Sequence, residues 1–387
     1  MKQEVKFINY KLYIVIISIL SLLLIAFNVM YRVSTVFATE YSDRIYPIWV
    51  KTLGRMCSFA SFSVFEMMII LAILLVLVCI IRLTYLLCKY HHRQVRFKFF
   101  YTLKKYLLNL ICIVLIFLLV YSMTCGVNYY RIPFSASANI TTGKYSTEEL
   151  GKLCEILIED ANEFSQHITT DENGIFVIKD EEIVDDASKA MEALSAKYPC
   201  LTGYYPPAKP ISFSLFMSYT GICGIYSPFT IEANYNNHIP DVEIPYTICH
   251  ELSHLSGYML EDEANFIAYL GCMESENYNL KYSGTLMALV YAADQYFWYS
   301  EGDDYDLVMS KLNEQVQRDL EFRSDYWFSE EVNPEIEIGD TEVNISDVMS
   351  DVSSEVNDNY LQMNGLEDGV QSYDRVTDLL LAYYFSK

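Results

Sequence analysis

Three stretches of this chain, at about 12–30, 60–87 and 107–125, are long and apolar enough to cross a bilayer. A hydrocarbon core about 30 Å thick takes about 20 residues of helix. None of the three carries the polar face that a helix of a soluble core would show. The chain is therefore bound to fold partly in lipid, and the rest must be organised around that anchor. A leader cleaved after Val36-Phe37-Ala38 is the competing reading of the first stretch. Its apolar run is long for a leader, and Tyr31-Arg32 interrupts the approach, so an uncleaved anchor is expected.

Charge divides the chain near Arg131. Residues 1–131 hold 15 Lys and Arg against 4 Asp and Glu, whereas residues 132–387 hold 12 against 46. The division implies a membrane domain over 1–131 and a water-exposed domain over 132–387. So acidic an outer domain disfavours nucleic acid, which needs a basic surface. Lysines and arginines concentrate before the first span (Lys2, Lys6, Lys11) and between the second and third (Lys89, Arg93, Arg96, Lys98, Lys104, Lys105). That bias puts the N-terminus and the 88–106 loop in the cytoplasm and everything beyond about residue 130 outside it.

The outer domain contains His250-Glu251-Leu252-Ser253-His254, and the whole chain has only six histidines. Positions four apart share a helix face, so both imidazoles can grip one ion, with Glu251 beside them as general base for an activated water. Gly257 ends such a helix well. A catalytic zinc takes a third protein ligand. Leu260 stands where a metzincin would place its third histidine, which argues against that class. Gluzincins use a glutamate on the next helix, and Glu261-Asp262-Glu263-Ala264-Asn265 follows here. With the two helices antiparallel, Glu261 would lie near His254, and Asn265, one turn on, would support His250 as a hydrogen-bond partner. Glu263 is rotated about 200° away and is the second choice, with Asp262 third. Tyr373 and Tyr291 are candidate donors to an oxyanion.

Around this motif the periodicity predicts helices over 146–164, with Ser146 and Glu149 as a capping box, and over 181–196, 245–256, 283–299, 305–322 and 369–384. Residues 132–145 read as a linker leaving the membrane. Residues 211–217 alternate like a strand, 221–235 read as strand or hairpin, and 225–235 are placed to pair with an extended substrate. The acidic 329–358 segment reads as loop, a flap over the site or a surface insert. Five cysteines lie outside the spans. A Cys200–Cys223 disulfide is one option and buried free thiols the other.

The segments GIYSPFTIEAN, P-x-T-x-C-H-E-L-S-H-x-x-G and EDEANFIAYL, with the closing NDNYLQMNGLEDGVQSYDRVTDLLLAYY, resemble an uncharacterised bacterial family of three-span membrane proteins. That resemblance implies three transmembrane helices joined to an α+β zincin-like domain of the peptidase MA-like, gluzincin type. It also implies a Zn2+ ion held by His250, His254 and an acid of the EDEAN segment, and Glu251 as base. The expected function is a membrane-anchored metallopeptidase acting on peptide or protein outside the cytoplasm. The alternative is a zinc-binding sensor or interaction module that cuts nothing. Neither reading names a substrate or an oligomeric state.

Overall fold

The computed structural model describes residues 9–90, 93–179, 182–201, 203–332, 335–338, 341–344, 355, 358–364 and 375–385. Three helices, Tyr10–Val33, Val64–Cys88 and Arg93–Thr124, carry runs apolar enough to cross a membrane, and their side chains mostly face outward rather than into protein. The third helix starts earlier than the apolar run, and its first turns carry Lys98, Lys104 and Lys105. Side-chain caps fix two of the starts: Asn9 accepts from Leu12 N (3.1 Å) and Ser63 from Glu66 N (3.1 Å). Polar contacts tie the first span to the third, with Tyr13 Oη donating to Asn109 (2.5 Å) and Asn28 to Ser122 (2.9 Å).

The rest is mostly helical. Ser146 and Glu149 form the expected reciprocal cap on helix Thr147–Phe164. Helices Ile183–Lys197, Ile244–Leu255 (the histidine helix), Glu261–Glu274 (the acid helix) and Tyr278–Tyr299 follow, and Val376–Phe385 closes the chain. Strands are few. One sheet has the order β1-β3-β2, where β1 (Lys209–Pro210) runs parallel and β2 (Gly224–Ser227) antiparallel to β3 (Glu232–Tyr235). A separate hairpin pairs β4 (Glu335–Ile338) with β5 (Thr341–Asn344) inside the acidic segment. The α+β expectation is met only by this small sheet.

Several expectations are corrected. Residues 211–217 do not form a strand. They end in the helix Ser214–Tyr219, whose buried Ser214, Met217 and Ser218 follow a helical period, and whose leading amides Ser212 N and Phe213 N are taken by Glu66. The helix expected over 305–322 is two, Asp304–Met309 and Glu314–Trp327, the second restarted by an Asn313 cap. Cys200 and Cys223 are both free thiols, which is the default reading rather than the disulfide. Residues 132–145 are no free linker, because Phe134 is fully buried and its segment is pinned to the acid helix.

The packing also runs across the charge boundary at Arg131. One continuous apolar core includes Tyr31 from the first span, Ala38, Tyr46 and Val50 from the segment joining the first two spans, and Val127 just after the third, together with Ile248, Leu252, Leu255, Phe266 and Leu270. The C-end of the first span and the C-end of the third meet this core, and the N-end of the second is bonded to Glu232 of β3, so the three ends share one side with the histidine helix. A buried ion pair makes the joint specific. Lys209 Nζ reaches Glu232 (2.6 Å) and the Cys57 carbonyl (2.6 Å), while Glu232 also accepts from Val64 N (3.2 Å) and Phe65 N (2.9 Å) at the start of the second span.

Glu232 thus holds a buried lysine and two helix-start amides at once. Glu232→Ala would leave that lysine buried without its counter-ion, which typically costs about 3–5 kcal/mol. Denaturant unfolding of the detergent-solubilised chain should show a loss of that order. A change of under about 0.5 kcal/mol, the size of a surface substitution, would contradict the joint.

Candidate metal centre

The histidine helix begins with Pro245 in its first turn and ends at Leu255, where Gly257 adopts φ +93° and reverses the chain. An L-residue disfavours that conformation. The turn is clamped from the membrane side: Arg131 Nη1 donates to the Gly257 carbonyl (3.3 Å), and the buried Tyr46 hydroxyl donates to the Leu255 carbonyl (2.9 Å). The acid helix then starts at Glu261 and packs back along the histidine helix.

This reversal brings three donors together. Glu261 Oε2 lies 3.3 Å from His250 Nε2 and 3.5 Å from His254 Nε2, and all three ligand atoms fall within 4.8 Å of one another. Two ligand atoms on a tetrahedral zinc at about 2.0–2.1 Å stand about 3.3–3.4 Å apart, so the spacing fits such an ion. His254 Nδ1 donates to the Tyr258 carbonyl (2.8 Å), which leaves Nε2 with the lone pair a metal needs. Burial alone would lower the pKa of His254, but the charge and hydrogen bond of Glu261, with Glu251 and the Tyr258 carbonyl, push it up to about 9. Burial would raise Glu261, yet His254 and the hydrogen bonds from both imidazoles hold it well below the usual carboxylate range.

Glu251 is buried, and its Oε2 makes no hydrogen bond. Burial pushes its pKa up to about 7, opposed by the two histidines and reinforced by Glu261. The backbone of β2 lies directly against it: a Cβ added to Gly224 would stand 2.3 Å from Glu251 Oε1. Gly224 lies outside the H-E-x-x-H motif of the sequence. Its only signal was a glycine opening a strand, which marks a close backbone approach.

The remaining candidates are distributed as follows. Glu263 points away from the ligands and accepts from Phe134 N, Ser135 N (3.0 Å) and Ser135 Oγ (2.6 Å), anchoring the segment that leaves the third span. Asp262 pairs with Arg375 (3.3 Å) on the closing segment. Asn265 does not hold His250. Its Oδ1 instead accepts from Tyr246 Oη (3.0 Å), and His250 Nδ1 makes no hydrogen bond. The expected partnership failed because a tyrosine one turn before His250 reaches the amide first. Tyr291 lies beside Tyr246 and so belongs to that same cluster. Tyr373 lies outside the described residues.

A family model described as "Protein of unknown function (DUF3810)" matches residues 41–381, which takes in the second and third spans as well as the histidine and acid helices. No curated protein and no solved structure matches the chain.

The geometry separates the two glutamates. Glu261→Gln should weaken zinc binding by more than the 10–100-fold that an outer hydrogen-bond partner is worth (about), whereas Glu263→Gln should leave zinc affinity unchanged and lower the melting temperature. Equal zinc loss in both would contradict the assignment. Protons and metal compete for His254 Nε2. Below pH about 9 the apparent zinc affinity should therefore fall by up to about tenfold per pH unit, with proton release on binding. Calorimetry in buffers of different ionisation enthalpy checks this, and pH-independent affinity between 6 and 8 would refute it (roughly the range in which such competition is read).

Proposed function

The chain belongs to the DUF3810 family, and we propose that it is a membrane-anchored zinc metallopeptidase that hydrolyses peptide bonds outside the cytoplasm. The observation that carries this reading is the buried set of His250, His254 and Glu261, within 4.8 Å of one another, with the carboxylate of Glu251 next in the same helix. Two imidazoles and one carboxylate are a donor set that zinc enzymes use when one position is kept for water or substrate. Zinc, when bound, supplies a Lewis acid that polarises a carbonyl and acidifies water.

The chain's own residues supply the rest. Glu251 has a carboxylate poised near neutrality, so it can take a proton from the attacking water and return it to the departing amine. Its unpartnered Oε2 is the atom left for that exchange. β3 covers one side of β2, and among the described residues no strand covers the other. An extended substrate paired with that edge would pass the Glu251 carboxylate at Gly224. The zincin-like fold expected from the sequence is consistent with two antiparallel helices carrying the ligands under an edge strand. The orientation rests on the lysine and arginine bias, which puts the opposite ends of the spans in the cytoplasm.

Glu251→Gln keeps the shape of the site and removes the base. Peptide cleavage should fall by about 10²–10⁴-fold, the usual worth of a general base, while zinc content stays at the wild-type level. Undiminished cleavage would overturn the mechanism. Zinc retention with no cleavage by the wild type across a broad peptide mixture would favour the non-catalytic zinc-binding sensor.

A further inference from the structure

We infer that the substrate is a membrane-tethered polypeptide, cut in the first few residues after it leaves the bilayer. This rests on the peptidase reading above and adds the class of chain that is cut.

The argument follows β2 away from the site. Gly224, its first residue, lies against Glu251. Two residues on, the Tyr226 hydroxyl donates to the Thr124 carbonyl (3.1 Å), at the last residue of the third span, and lies 2.8 Å from the Tyr46 hydroxyl. In the turn that follows, the Phe229 ring packs at a tilt against Phe117 with centroids 4.9 Å apart. Phe117 is seven residues before the end of that span, about 10 Å along the helix, and 40% exposed on a surface otherwise made of Ile113, Val114, Leu118 and similar lipid-facing groups. The returning strand β3 then begins at Glu232, bonded to the first amides of the second span. The β2–β3 hairpin therefore runs from the general base to below the rim of the membrane. At about 3.3 Å per residue the strand from Gly224 to Ser227 spans about 10 Å, and Phe229 lies beyond it in the turn.

A second feature sets the same level independently. Phe213 and Phe216, 61% and 59% exposed, stand on or beside the helix Ser214–Tyr219. Its leading amides are held by Glu66, in the first turn of the second span. Exposed aromatic rings at the depth where spans end are what a membrane interface takes up.

A strand added to the free edge of β2 shares its line. One end of it meets Glu251 and the other is aimed at lipid. A long soluble polypeptide seated there would be driven into the bilayer. A chain anchored by its own span or lipid group continues naturally into the membrane. Its scissile bond should then fall about five to ten residues from the bilayer, given about 3.3 Å per extended residue.

The test uses the full chain reconstituted with zinc in phosphatidylcholine–phosphatidylglycerol vesicles. The probes are a mixed-sequence segment of about 20 residues joined to one synthetic Leu/Ala transmembrane helix of about 20 residues, the same segment free in solution, and the tethered form with a Gly/Ser spacer of about ten residues inserted at the membrane (about 30 Å if extended). Cut positions are read by mass spectrometry. The expected result is cleavage of the tethered probe at least about tenfold faster than the free one, with cuts that keep their distance from the bilayer and move into the spacer when it is inserted. Cuts that follow the segment's sequence, or equal rates on free and tethered probes, would overturn this inference and leave the peptidase reading standing. No cleavage of any probe by zinc-loaded chain would overturn both. Independently, the fluorescence added by Phe229→Trp should be quenched by brominated acyl chains, and absence of that quenching would contradict the placement of the hairpin.

Discussion

The arrangement depends on one constraint: Glu261 has to be turned back onto two imidazoles of the preceding helix while buried. Six residues separate His254 from Glu261, and the chain achieves the return through Gly257 at positive φ and an immediate restart at Glu261. Three mutually close donors in a buried place are costly unless something compensates their charges. Without metal, the proton on His254 does so, which is why Glu261 and His254 shift in opposite directions. A divalent cation would compensate both more fully.

The turn is not held by the outer helices alone. Arg131 and Tyr46, which follow or connect the spans, bond the Gly257 and Leu255 carbonyls, and Glu232 and Glu66 tie the sheet region to the start of the second span. The membrane part therefore serves as a foundation for the site. Cutting the chain at residue 131 would remove side chains from one continuous core, which is why each test uses the whole protein.

Much of the site was legible because its signals are local. The spacing of His250, Glu251 and His254 is a helical repeat, and Glu261 followed from the angle between positions on the next helix. The spans followed from apolar length. What was not legible depends on residues far apart in the chain. Tyr246 capturing Asn265, Glu263 anchoring Phe134 and Ser135, and Phe229 resting on Phe117 are separated by 19, 129 or 128, and more than a hundred positions. No period within a segment encodes such contacts. The strand expected at 211–217 failed for the same reason, since Glu66, 146 residues away, caps that segment as a helix start.

The central claim is that two imidazoles and one carboxylate, and no thiol, hold a zinc ion. Zinc-edge X-ray absorption on the zinc-loaded full-length chain tests it most directly. The account predicts a first shell of only nitrogen and oxygen at about 2.0–2.2 Å, with the multiple-scattering pattern of two imidazoles. A sulfur shell at about 2.3 Å would show that one of the free cysteines binds the metal instead, and would contradict the site described here.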